Sequence, residues 1–246
     1  MLEAESRLAG DIWTNLGMEK ARPIVTAIIA VLLAAVAALH LAACIKHRDG
    51  LRKPTKVFLV PLIICLHVAV CGFRYPYLLV GLFCGWLGDI FLIPKDRKLT
   101  FAIGALFFMA GHAFYIINTF WLGLPQKTLE AYGKVSIFIA AAAVLLVCAA
   151  AIWFMRKRLT NKMLAAFLAY MTALAFMAGT MVYSAVSVGL KPQSFMIGGG
   201  ALLFAVSDFL LCTGIIRAFK IRNNRFWVML TYILAQTGIA LGFALL

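Results

Sequence analysis

Acidic residues are scarce in this 246-residue chain: nine Asp and Glu stand against 23 Lys and Arg, and charged residues of both signs make up only 13%. With 64% apolar residues and a mean hydropathy of +0.98, that scarcity excludes a soluble globular domain, whose usage is nearer half apolar. Paired cysteine motifs are missing too. Cys44, Cys65, Cys71, Cys84, Cys148 and Cys212 are scattered, mostly in apolar runs and never as CxxC, so neither a disulfide framework nor a zinc site is supported. Histidine is rarer still, with four, and no two share one helix at metal-ligand spacing. A two-metal site would also lack carboxylates. The first 22 residues carry both charge signs and do not resemble a cleavable signal peptide. In that polar tail Leu8, Ile12, Trp13 and Leu16 fit one face of a short interfacial helix; a disordered tail fits equally well.

What remains is apolar runs with basic punctuation. Stretches long enough to span a bilayer occupy 23–45, 57–72, 76–93, 99–122, 134–155, 162–188, 194–216 and 226–246. The expectation is an all-α integral membrane protein, a polar tail over 1–22 and one transmembrane domain of about eight helices over 23–246. The second stretch is short, and Lys53 and Lys56 at its start read as snorkelling anchors. The net charge of +14 suggests nucleic acid only until the charges are located. They sit in short loops, where topology accounts for them, and no nucleic-acid partner is expected. The tail and alternate loops hold 7 of the Lys and Arg and the other loops hold 16, so the positive-inside rule places both termini outside.

Only two of the nine acids, Asp89 and Asp208, fall inside apolar spans, within GLFCGWLGDIFLI (81–93) and GALLFAVSDFLLC (200–212). Aligning the two aspartates also superposes Gly81 on Gly200. The offset of 119 residues spans four helices, an even number that preserves direction, and is compatible with a duplicated four-helix unit. A charge in the bilayer costs from about 2.5 kcal/mol upward, so it faces a cavity or a partner. An aspartate can also act merely as interhelical glue worth about 0.6–2 kcal/mol, but Asn, Gln or Ser does that with less desolvation. Two aspartates therefore favour function: two carboxyls in one low-dielectric site can share a proton and divide acid and base roles.

At about 1.5 Å per residue, Asp89 lies roughly 6 Å and Asp208 roughly 12 Å from the inner ends of their helices, with Tyr232 and Gln236 roughly 9 and 15 Å deep. His112 stands near mid-membrane with Tyr115 on the same face, and Tyr232 shares a face with Gln236. Taken alone, His112 reads as a ligand, an acid–base group or a satisfied core histidine; His40 and His67 read as core. The two carboxyls are expected to face one cavity, with Tyr232 and Gln236 on its wall. Lys53 is a candidate for meeting a lipid phosphate.

Lys53-Pro54, Gly88-Asp89, His112-x-x-Tyr115, Ser207-Asp208 and Thr231-Tyr232-x-x-Ala235-Gln236, in this order, resemble the YhhN-type lysoplasmalogenase family. The likeness covers residues 25 to 245, and departs where Gly111 precedes the histidine and Ile233 follows Tyr232. It implies an eight-helix enzyme of a bacterial plasma membrane that hydrolyses the vinyl ether of lysoplasmalogen to a fatty aldehyde and glycerophosphoethanolamine or glycerophosphocholine. It implies no metal or organic cofactor, a lysoplasmalogen or related lysophospholipid as ligand, Asp89 and Asp208 as the catalytic pair, and His112, Tyr115, Ser207, Tyr232, Gln236 and Lys53 in support. Vinyl-ether hydration passes through an oxocarbenium-like cation, as glycosidases do with two carboxyls, which suits two aspartates whose order stays open. The competing readings are a proton-coupled carrier and a non-catalytic lipid-binding protein.

Overall fold

A computed structural model describes residues 12–15, 17, 19–93, 98–156, 159–215 and 221–246. Eight helices follow a one-turn helix, Ile12–Asn15, and a 3₁₀ turn, Glu19–Ala21. They are α1 (Arg22–Ile45), α2 (Asp49–Cys71), α3 (Pro76–Phe91), α4 (Lys98–Trp121), α5 (Leu124–Met155), α6 (Asn161–Val186), α7 (Pro192–Ile215) and α8 (Asn224–Ala244). Seven are long and apolar enough to cross a membrane, and the 16-residue α3 is the exception. The protein is an all-α, multi-pass membrane bundle.

The helices are where apolar runs place them, with two extensions. α2 starts at Asp49 rather than at 57, because Lys53, Pro54 and Lys56 interrupt hydropathy without interrupting the helix. α5 starts at Leu124 rather than 134 and breaks at Gly133, whose φ of 69° lies where side-chain-bearing residues rarely go. Its first piece is polar in sequence yet buries Leu124 and Thr128, and Thr128 Oγ1 donates to the Tyr183 carbonyl of α6 at 2.9 Å.

α2 carries Pro61 in its interior. A proline has no N–H, so the carbonyl four residues back loses its helical partner. That carbonyl is Val57 O, and the Trp86 indole of α3 donates to it at 2.8 Å. The defect in α2 thereby becomes a docking point for α3. Trp86 and Asp89 are three apart and share a helix face, so the same contact carries Asp89 to Lys56, next to Val57.

The packing repeats with a four-helix period. α1 packs on α2, α2 on α3 and α3 on α4, as α5 does on α6, α6 on α7 and α7 on α8; α4 meets α6 and α5 as α8 meets α2 and α1. Six helices (α2, α3, α4, α6, α7, α8) close a ring, with α1 and α5 outside it. The most apolar stretch of α5 buries nothing within the protein, as a lipid-facing helix requires. Gly81 and Gly200, superposed in the sequence repeat, occupy corresponding contacts. A Cβ at Gly81 would meet the Tyr115 ring at 2.6 Å, and one at Gly200 the Ala235 carbonyl at 3.0 Å.

The N-terminal segment is tied to the far end of α2. Trp13 is buried and donates its indole N–H to Ala69 O at 3.1 Å, and the Arg22 guanidinium donates to Val70 O. Both acceptors lie in the last turn of α2, where helical carbonyls have no partner of their own and a cation is favourable. Leu8 and Leu16, expected on the same apolar face, lie outside the described residues.

Candidate functional site

Asp89 stands in the last turn of α3 and is buried. Its Oδ1 lies 3.0 Å from the Lys56 ammonium of α2, with the two side chains 4% and 11% exposed. The Tyr232 hydroxyl of α8 faces the same carboxyl. Behind it runs a directed chain: the Tyr115 hydroxyl donates to Gln236 Oε1 at 2.6 Å, and Gln236 Nε2 donates to the Tyr232 oxygen at 3.3 Å. Gly85, one turn before Asp89, makes room for it, since a Cβ there would sit 3.2 Å from Gln236 Nε2.

Asp208 of α7 is equally buried and has different company. The Tyr170 hydroxyl of α6 donates to its Oδ2, and His112 Nε2 of α4 lies 3.8 Å from the same oxygen, too far for a hydrogen bond. Both ring nitrogens of His112 are buried with no hydrogen-bond partner among the described residues. One aromatic ring joins the two groups. Phe204 stands 5.1 Å from the His112 ring and 5.6 Å from that of Tyr232, both edge-on.

The four-helix repeat governs this layout. Each aspartate draws one partner from the helix before its own, Lys56 or Tyr170. Each draws another from the helix that closes the opposite half, Tyr232 or His112. Six helices thus contribute to one buried polar layer in a chain that can hardly tolerate unpaired charge. Such a layer can hold a proton on one carboxyl, take one on the other, and exclude bulk water.

The profile of the YhhN family matches residues 51–243. The chain belongs to the YhhN family. The matched span contains every group just described, from Lys56 to Gln236, and leaves out the N-terminal segment and α1. No curated protein and no solved structure matches the chain.

Within this YhhN bundle the expected residues divide. Asp89, Tyr232, Gln236 and Tyr115 form one connected group, and His112 joins Asp208. Ser207 does not join. One position from Asp208, it points about 100° away around the helix and donates to Val228 O at 3.0 Å, tying α7 to α8. Lys53 does not join either: it is exposed, one turn nearer the helix start. Exposed at that end of the bundle, Lys53 keeps its reading as a candidate contact for a lipid phosphate, and the snorkelling role expected of Lys56 is corrected to an ion pair with Asp89. With α2 beginning at Asp49, Lys56 is two turns into the helix, on the face turned toward Asp89. His40 and His67 serve packing, bonding Thr55 Oγ1 and Ala240 O, each at 2.8 Å.

Lys56 and Tyr170 are the partners that sequence reasoning missed. Lys56 carried a signal, a cation at the edge of an apolar run two helical turns after a helix-starting Asp. Tyr170 carried none; tyrosine inside a span is ordinary until α6 is known to face α7.

Proposed function

We propose that this chain is a lysoplasmalogenase, a membrane hydrolase that cleaves the vinyl ether of a lysoplasmalogen with Asp89 and Asp208 as its acid–base pair. The observation that carries the reading is the pair of buried carboxyls, each held by a different set of partners within one polar layer. Family membership supports a hydrolase role, and the substrate class comes from the resemblance of the motifs to that family.

The reaction suits the layer. A carboxylic acid delivers its proton to the β-carbon of the vinyl ether, and the π electrons form the new C–H bond, leaving the oxygen-bearing carbon cationic. Water adds to that carbon as the other carboxylate takes its proton. The hemiacetal then collapses: its hydroxyl proton goes to the first carboxylate, the second carboxyl protonates the departing glycerol oxygen, and aldehyde and alcohol leave. Both carboxyls end as they began. Surrounding low-dielectric protein strengthens the hold of a carboxylate on the cation.

The head group has a matching edge. Arg52 and Arg225 both approach Asp49 Oδ1, at 3.0 and 3.5 Å, at the end of the bundle nearest Lys56. The loop before α2 adds Lys46 and Arg48. This basic rim fits a phosphodiester held at the membrane surface, while the single alkenyl chain lies in the apolar layer. On the positive-inside rule that rim is cytoplasmic and both termini are outside.

The test is aldehyde release from purified protein in detergent given lysoplasmalogen, with the matching ester lysophospholipid as control. Aldehyde from the vinyl ether alone supports the reading. No release, with transport appearing only in sealed vesicles, refutes it in favour of a proton-coupled carrier.

A further inference from the structure

The fold repeats, but the chemistry at the two corresponding positions does not. α2 presents an ammonium to Asp89, and the corresponding α6 presents a phenol to Asp208. α8 presents Tyr232 to Asp89, and the corresponding α4 presents His112 to Asp208. Among the described residues no Lys or Arg lies within ion-pairing distance of Asp208.

Resting on the vinyl-ether reading above, we propose that this asymmetry fixes the order of the two carboxyls. Lys56 is a positioning residue that holds Asp89 as the carboxylate, and Asp208, held by Tyr170, is the acid that protonates carbon. The reasons are electrostatic and geometric. An ammonium 3.0 Å away in a dry interior stabilises a carboxylate far more than in water. A protonated Asp89 would leave that ammonium buried without a counter-charge, the arrangement membrane interiors penalise most. Among the described residues Asp208 has no such partner. The hydroxyl of Tyr170 fills one lone pair of Oδ2 and orients the carboxyl, leaving Oδ1 to carry the proton for transfer. In the reaction this makes Asp208 the donor of the proton that forms the C–H bond. Asp89 is then the group that takes a proton from the attacking water and returns it to the glycerol oxygen. Lys56 never touches the reacting atoms; it keeps Asp89 charged and aimed.

Two measurements on full-length protein in detergent test this. The first is a thermal-stability cycle that needs no activity. Lys56→Met strands a buried carboxylate and should melt on the order of 10 °C lower. Lys56→Met/Asp89→Asn should melt higher than Lys56→Met alone, because the second change removes the stranded charge. Lys56→Arg should stay close to the parent. Additive losses in the double variant overturn the pairing.

The second is aldehyde formation in light and heavy water, read by mass spectrometry over long incubations to follow slow variants. Each Asp→Asn change should cost at least about 10²-fold. Carbon protonation limits the parent, which therefore slows in heavy water. Asp208→Asn should retain that isotope effect, since protonation stays the hard step. Asp89→Asn should show a smaller one, since water addition becomes limiting, and Lys56→Met should follow Asp89→Asn. An isotope effect in Asp89→Asn equal to or larger than that in Asp208→Asn overturns the order. If the parent releases no aldehyde, the vinyl-ether reading falls and takes the order with it, while the stability cycle still decides the ion pair.

Discussion

Trp86→Phe isolates how α3, and Asp89 with it, is held. The indole N–H fills the Val57 carbonyl that Pro61 leaves open, at 2.8 Å. Phenylalanine keeps a ring beside Phe83, now 5.4 Å from Trp86, and removes the donor. An interhelical hydrogen bond in a membrane contributes about 0.6–2 kcal/mol, and stranding a buried acceptor costs about 1–3 kcal/mol, so about 1–2 kcal/mol is expected. At ~2–4 °C per kcal/mol for a chain of this size, that is a fall of roughly 2–8 °C in detergent. The structure supplies its own control. Pro61→Ala restores a backbone N–H that bonds Val57 O within α2, so the indole donor becomes redundant. In the Pro61→Ala background Trp86→Phe should cost only the loss of ring area, well under its cost in the parent. The assay is thermal unfolding of the four proteins as a double-mutant cycle. Equal costs in both backgrounds would refute the reasoning.

Three further outcomes follow from the geometry. Gly81→Leu drives side-chain atoms into the Tyr115 ring, which a Cβ alone would approach to 2.6 Å; Gly199→Ala, with nothing within 4 Å, should be neutral. Overpacking of this kind costs about 1–3 kcal/mol, and by displacing Tyr115 from Gln236 it should also lower turnover, both measurable on one preparation. Lys53→Met should leave stability within about 0.5 kcal/mol of the parent, whereas the same change at Lys56 is strongly destabilising, and melting curves compare them directly. A tag after Leu246 should react with a membrane-impermeant reagent in intact cells, as an engineered cysteine at 50 should not; the reverse pattern would overturn the orientation.

The helical bundle was legible because spans in lipid must be apolar and helical, so hydropathy alone locates them. The aspartates were legible for the same reason: a carboxyl in GWLGDIF or AVSDFLL is conspicuous where little else is charged. The four-helix period showed in Gly81 and Gly200 as well as in the acids, and the packing follows it. Hydropathy misleads where a helix continues through charged residues. It began α2 at 57 and so left Lys56 among surface anchors, and it passed over Leu124–Tyr132 as a loop. Ser207 looked like part of the site only because it adjoins Asp208 in sequence, although neighbours on a helix face different ways. Tyr170 became visible only once α6 was placed against α7.

The most direct measurement is aldehyde turnover by purified, monodisperse parent, Asp89→Asn, Asp208→Asn and double variant, each given lysoplasmalogen. Amide and acid are nearly isosteric, so folding should persist while each single change costs at least about 10²–10⁴-fold. Two groups acting as a unit are not additive, so the double variant should lose far less than the product of the single losses. Near-native turnover in either single variant would contradict the two-carboxyl account.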